Sequence, residues 1–419
     1  MLKDRSMKRR DFMKWMAASA VFSPGASLLQ AANPASPSAI PDLRGYGSDV
    51  GSLLPLIEGQ ARKGDFPLSF LRPQVRSHSA WRRRARARLL DLLHYSPPPC
   101  DPRPEVVQRE DCGDYFQEKV FFNTTPDVRV PAFVLIPKRG KFPAPAIVAL
   151  HDHGAFYLWG KEKLVENRSE HPSLTQFKRQ SYEGKSTASE LARQGYVVVV
   201  IDMFYWGERR MLLEKDAGDW RERTPGITPE RVLAFNQRAS TSEPVVGRSI
   251  YAAGFTWPGV IFWDDIRTVD YLVTRPEVDR HRIGCVGLSV GGFRSCHLAA
   301  LDDRIKCAVV VGWMTSFPYQ LKRKVLHTIG HSMIVPGLYR DLDYPDVAAM
   351  AAPAALMVIN GTQDTLFDAE GVRVSHEKLA ACYKKAGVGA KLCLRMYDTP
   401  HEFNIAMQKE AWAWLKRWV

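Results

Sequence analysis

The chain has 419 residues, 45% of them hydrophobic and 25% charged, with a formal net charge of +13. That balance belongs to an ordinary folded protein and excludes a disordered chain, a collagen-like repeat and a disulfide-stapled miniprotein. The sequence shows no fixed-period repeat of the solenoid or propeller kind, and no apolar run reaches the roughly 18 residues of a membrane helix.

Residues 1–31 set Lys3, Arg5, Lys8, Arg9, Arg10 and Lys14 against only Asp4 and Asp11. Within them, Lys8-Arg9-Arg10-Asp11-Phe12-Met13-Lys14 resembles a twin-arginine export signal, and a weakly apolar stretch, Trp15 to Leu29, leads to small residues around Ala31-Ala32. Residues 1–32 are therefore expected to be a signal peptide, which implies a periplasmic or extracellular protein that meets the membrane only during export. The remaining basic charge reads as a solvated surface, and without a nucleic-acid-binding signature no nucleic-acid partner is expected. Residues 33–44 are a Pro-, Ala- and Ser-rich linker, and 76–94 place Trp81, Ala85, Leu89, Leu92 and Leu93 on one helical face. Together 33–104 are expected to form a linker and an N-terminal helical segment.

From residue 105 to 419 the pattern predicts a catalytic domain of alternating strands and helices. Val120–Phe122 and Ala132–Ile136 read as early antiparallel strands. Buried strands are expected at Ala146–Leu150, Tyr196–Ile201, Arg282–Gly287, Ile305–Val311, Leu356–Ile359 and Leu392–Tyr397. Helices are expected over 186–194, 261–275, from Val290, over 369–386 and over 404–418. Continuous apolar strands separated by helices imply a mostly parallel sheet covered on both faces, with ligands beyond the carboxyl ends of its strands. The stretch 203–258 shows no clear strand and many charges, so it reads as a long excursion suited to a lid.

The chemistry-bearing residues fall at those strand ends. Gly287-Leu288-Ser289-Val290-Gly291-Gly292 is a G-x-S-x-G sequence between a strand and a helix, where the glycines permit a sharp turn that projects the serine hydroxyl. A serine needs an adjacent base oriented by a carboxylate. Asp364 follows the strand 356–359 and His401 follows the last strand, giving the chain order Ser, Asp, His. Asp368 and Asp398 are the competing acids. Oxyanion donors are expected from the backbone of Val290 and of the loop holding Gly154 and Ala155. His153, Phe156, Tyr205, Trp206, Arg209 and Trp313 are candidate pocket residues; Gly207-Glu208-Arg209 either contacts a polar substrate or orders its loop through an ion pair. His151 and His153 share one strand face, but no third ligand stands at a recognisable spacing, so neither a metal nor another cofactor is expected. Seven cysteines form no CxxC pair; Cys285 and Cys307 read as core residues, and bridges between Cys100 and Cys112 or between Cys382 and Cys393 stay open.

These segments, together with His151-Asp152-His153-Gly154, Asp202–Arg209 and Trp263-Asp264-Asp265-Ile266-Arg267, resemble bacterial α/β-hydrolases of the dienelactone-hydrolase and acetyl-xylan-esterase group over about three-quarters of the chain. The resemblance implies a serine carboxylesterase with Ser289, Asp364 and His401 as its triad, acting on a small-molecule or carbohydrate ester. It departs from dienelactone hydrolases in carrying Ser289 where they use cysteine, and from glucuronoyl esterases in carrying Val290 where they place arginine. The sequence is also similar to the catalytic domain of prolyl oligopeptidases, without room for their propeller. A peptidase with the same triad and a non-catalytic binding protein on a hydrolase scaffold are the alternatives.

Overall fold

The apolar runs become neighbouring strands of one nine-stranded sheet in a computed structural model of the chain, which describes residues 53–61, 64, 66–223, 226–321 and 328–419. The export segment 1–32 and the linker 33–44 lie outside the described residues. The first elements are α1 (Leu54–Gln60), α2 (His78–Leu93), β1 (Glu105–Asp111), β2 (Tyr115–Thr125), β3 (Val128–Pro137), β4 (Ala144–Leu150), α3 (Pro172–Tyr182), α4 (Thr187–Arg193) and β5 (Val197–Ile201). Then come α5 (Gly218–Glu222), α6 (Pro229–Ala252), α7 (Trp257–Leu272), β6 (Val278–Leu288), α8 (Val290–Leu301), β7 (Ile305–Val311) and α9 (Phe317–Leu321). The last are α10 (Tyr344–Ala349), β8 (Ala355–Gly361), α11 (Ala369–Lys385), β9 (Leu392–Tyr397) and α12 (Ile405–Trp418).

The strand order is β1-β2-β3-β5-β4-β6-β7-β8-β9. The pairs from β5–β4 through β8–β9 are parallel, whereas β1, β2 and β3 form an antiparallel edge joined to β5. Every residue of β5 is buried, as are most of β4, β7 and β8, because helices cover both faces; this is why these strands read as unbroken apolar runs. The chain passes from β4 to β5 on one side and then to β6 on the other side of β4. That reversal opens a crevice at the carboxyl ends of β4 and β6. The architecture is the α/β-hydrolase fold.

Helix α2 buries Trp81, Ala85, Leu89, Leu92 and Leu93 in the same core. Two of its arginines serve this docking: Arg86 Nε donates to the Ala300 carbonyl (2.9 Å), and Arg82 and Arg86 both pair with Asp303. Three differences from the sequence expectations stand out. The edge strand β1 is almost wholly exposed and so carries no alternation to read. The excursion 203–258 is largely the 24-residue helix α6 together with the start of α7. All seven cysteines are free, so neither the Cys100–Cys112 nor the Cys382–Cys393 bridge is formed.

Candidate active site

Ser289 sits between β6 and α8 with φ 58° and ψ −121°, a conformation that strains any residue with a Cβ. The turn is held from below: the Ser289 N–H donates to the Val311 carbonyl at 2.8 Å. A Cβ on Gly287 would stand 2.5 Å from the Leu150 carbonyl oxygen, and one on Gly292 would stand 2.7 Å from that of Val311. The glycines therefore let the backbones of β4, the elbow and β7 touch. Val290 begins α8, where a backbone N–H has no intrahelical acceptor.

His401, between β9 and α12, shares with Ser289 the lining of one cavity of about 470 Å³. Its Nδ1 is bonded to Asp364 Oδ2 at 2.6 Å, and Asp364 Oδ1 accepts the Leu366 N–H at 2.9 Å. His401 Nε2 is buried with no hydrogen-bond partner among the described residues. Since Nδ1–H donates to the carboxylate, Nε2 carries the free lone pair that a base requires. No direct bond joins it to Ser289 Oγ; such contacts are often long before substrate arrives. The competing acids are otherwise engaged. Asp398 is exposed and accepts from Thr362 Oγ1 (2.7 Å) and Gln363 Nε2 (3.1 Å). Asp368 caps α11 through the N–H groups of Glu370 and Gly371.

The loop after β4 is fixed from several directions. Buried Lys163 Nζ donates to the carbonyls of Asp152 (2.9 Å) and His153 (3.0 Å), and Tyr182 OH bonds the Asp152 carboxylate. Gly154 (φ 57°) and Ala155 (φ 49°) are both left-handed, and a Cβ at 154 would lie 2.5 Å from the Phe177 ring. Here the expectation for Ala155 is corrected. Its N–H donates to His153 Nδ1 at 3.0 Å and is spent on folding the loop. Among the described residues the N–H groups of His153 and Gly154 make no backbone hydrogen bond, which leaves them as the loop's available donors.

Of the candidate pocket residues, His153 and Trp313 line the cavity. Tyr205 and Trp206 lie behind it, 2% and 0% exposed: Trp206 Nε1 donates to the His153 carbonyl (3.2 Å), and Tyr205 OH to that of Ala239 (2.8 Å). They are a support beneath the loop, not a wall. Phe156 stacks on Phe177 and faces a separate groove of about 840 Å³ that shares only Gly154 and Ala155 with the cavity. Arg209 is internal, paired with Asp264 at 2.7 Å. His151 is also spent structurally, accepting the Met203 N–H at Nε2 and bonded at Nδ1 to the Asp152 carbonyl, and burial holds its pKa well below the usual value.

Several residues that the sequence did not single out complete the site. Glu243 and Ser240 of α6 line the cavity with Tyr157, Ser181, Met333 and Phe367. Glu243 Oε1 accepts from both His153 Nε2 (2.8 Å) and Tyr157 OH (2.9 Å). No motif marks Glu243, and the adjacent Pro244 obscures its helix. Elsewhere Glu162, Asp202 and Glu208 converge closely enough to hold a cation, but Lys161 Nζ already reaches all three, at 3.3, 2.7 and 2.5 Å. Burial opposes charge on Lys161, yet the three carboxylates hold its pKa above the lysine range.

The chain matches the model of the dienelactone hydrolase family over residues 180–409 and that of an abhydrolase family over residues 56–222. A Bacillus subtilis (strain 168) protein bearing the name hydrolase YtaP is 27% identical over 324 residues, 76% of this chain and 94% of that protein. Among solved structures, a Bacteroides fragilis protein described as an acetyl xylan esterase superposes with a TM-score of 0.60 at 18% identity, covering 82% of this chain and 81% of that one. A glucuronoyl esterase from Solibacter usitatus gives a TM-score of 0.57 at 17% identity, covering 85% and 99%.

Proposed function

The chain belongs to the dienelactone hydrolase family, and from that premise we propose that this hydrolase is an exported serine esterase acting on an acyl ester of a carbohydrate. The observation that carries the reading is the 2.6 Å His401–Asp364 pair, with Nε2 buried and unpartnered among the described residues, beside the cavity that His401 and the strained Ser289 both line. Ser289 Oγ attacks the ester carbonyl carbon while His401 Nε2 takes the hydroxyl proton. Asp364 holds the ring in its Nδ1–H tautomer and stabilises the imidazolium. The oxyanion is met by the Val290 N–H and by the N–H groups of His153 or Gly154. Collapse breaks the ester C–O bond, and His401 returns the proton to the leaving alcohol. Water, losing its proton to His401, then attacks the acyl carbon, and the carboxylic acid leaves as Ser289 regains its hydroxyl proton. The carbohydrate part draws support from the names of the structural neighbours and from the polar lining of Ser181, Ser240 and Glu243 beside Trp313. Export draws support from the twin-arginine sequence at Lys8–Lys14.

The test is hydrolysis of p-nitrophenyl acetate and butyrate beside the Ser289→Ala variant. The expected loss is at least about 10³-fold with the circular dichroism spectrum unchanged. Equal rates in both proteins would remove Ser289 as nucleophile and with it the esterase reading.

A further inference from the structure

Glu243 is more buried than a surface carboxylate, at 8% exposure, yet lines the cavity that holds Ser289 and His401. Its two oxygens are in different states. Oε1 is saturated by His153 Nε2 and Tyr157 OH. Oε2 lies 3.3 Å from where a Cβ on Gly330 would stand, accepts no hydrogen bond from the described residues and is not one of the fully buried unpaired atoms, so it is open to solvent. Burial opposes the charge, but the hydrogen bonds from His153 and Tyr157, together with the nearby His153 and His331 rings, hold the carboxyl below its usual range, so the group facing Gly330 is an ionised acceptor. An ionised carboxylate oxygen that faces a cavity is an acceptor to which a donor on a bound molecule can bond in place of water. Gly330 carries no side chain to fill the space, and Ser240, one helical turn before Glu243, adds a hydroxyl to the same wall. Pro244 also lacks the N–H that would bond the Ser240 carbonyl in an unbroken helix.

We propose that Glu243 Oε2 binds a hydroxyl group of the ester substrate, which makes Glu243 a specificity residue for neutral, hydroxyl-bearing esters and sets the cavity against anionic ones. The inference rests on the esterase reading and adds what the cavity selects. Glu243 belongs to α6, outside the sheet, and acts on the side of the cavity formed by His153. A hydroxyl donor there takes the place of water on an ionised acceptor, whereas a substrate carboxylate meets like charge. The lining offers no arginine or lysine to receive such a carboxylate among the described residues.

The test uses three esters of one methyl pyranoside: the monoacetate with free hydroxyls, the same acetate with those hydroxyls methylated, and the anionic monosuccinate. The wild-type enzyme is expected to favour the free-hydroxyl acetate over its methylated form by at least about tenfold in kcat/KM. In Glu243→Gln the amide oxygen can still accept from His153 and Tyr157, while an amide nitrogen replaces Oε2. That variant is expected to lower the hydroxyl preference about tenfold and to raise the succinate-to-acetate ratio. Ratios are the readout, because disturbing the His153 loop would slow all three esters alike. Wild-type enzyme that hydrolyses both acetates equally, or a variant with unchanged ratios, overturns the inference and leaves the esterase reading standing. A variant that fails to fold leaves the wild-type ratio to decide. Absence of any Ser289-dependent hydrolysis overturns the esterase reading itself and this inference with it.

Discussion

Two clusters of buried charge lie in the loops above the carboxyl ends of the strands. Around Asp202 every charge is answered: Lys161 Nζ bonds Asp202, Glu162 and Glu208, Arg223 reaches Glu162 at 2.8 Å, and Lys119 reaches Glu208 at 2.9 Å. Around Asp364 the chain of bonds stops short, since His401 Nε2 is buried beside the cavity with no hydrogen-bond partner among the described residues. The first arrangement locks the segment after β4 to the segment after β5. The second is incomplete in a way that only an incoming group repairs. Saturation marks a joint, and an open atom beside a cavity marks chemistry. His297 sharpens the rule. Its Nε2 is also buried and unpartnered among the described residues, but the ring is stacked on Phe262 at 4.2 Å within the core and does not line the cavity of Ser289 and His401.

The contrast predicts different failures on substitution. Asp364→Asn should cost the largest factor, about 10⁴ in kcat/KM on p-nitrophenyl acetate, because the amide favours the wrong imidazole tautomer while the fold survives. A loss below tenfold would break the distinction between the two clusters. Lys161→Met should act on stability instead. It leaves buried Asp202 without its cation, a cost of about 3–5 kcal/mol in urea unfolding, while the folded fraction keeps kcat within about threefold of wild type. An unchanged urea midpoint would mean that the Lys161 cluster is not a joint.

The smallest effect concerns buried neutral histidines. Burial lowers His297 and His376 to about 4 in the folded protein, against about 6.5 in the unfolded chain. Between pH 6.5 and 4 the unfolded state takes up protons that the folded state refuses. Their contribution is therefore complete above about pH 6.5 and is lost as pH falls, with a slope of about 1.4 kcal/mol per pH unit for each histidine mid-window. His297→Leu should flatten the pH dependence of stability by about one such slope; an identical profile would show that His297 titrates freely.

What the sequence disclosed follows from what leaves a local signature. Strands buried on both faces must be written in Val, Ile, Leu and Ala, so β4, β5, β7 and β8 were visible as apolar runs. The elbow was legible because its glycines are demanded by backbone contacts, and Asp364 and His401 because each follows a readable strand. Residues whose meaning depends on distant partners stayed hidden. Lys161 and Lys163 are wholly buried, although a lysine pair in sequence reads as surface. Tyr205 and Trp206 follow the right strand, but sequence could not say on which side of the loop they stand. Glu243 was obscured because Pro244 speaks against a helix there and its partners, His153 and Tyr157, are some ninety residues upstream.

The glycine contacts at the elbow reach beyond geometry. A side chain at Gly287, Gly291 or Gly292 would run into the backbone of Leu150 or Val311, so this part of the molecule tolerates almost no variation. Helix α6, whose one tight glycine contact is between Gly247 and the His331 side chain, supplies Glu243 and Ser240 from a separate stretch of chain. The protein thus pairs a frozen elbow with a more exchangeable wall, and variants can change diet through the cavity-facing positions of α6 while the elbow stays as it is.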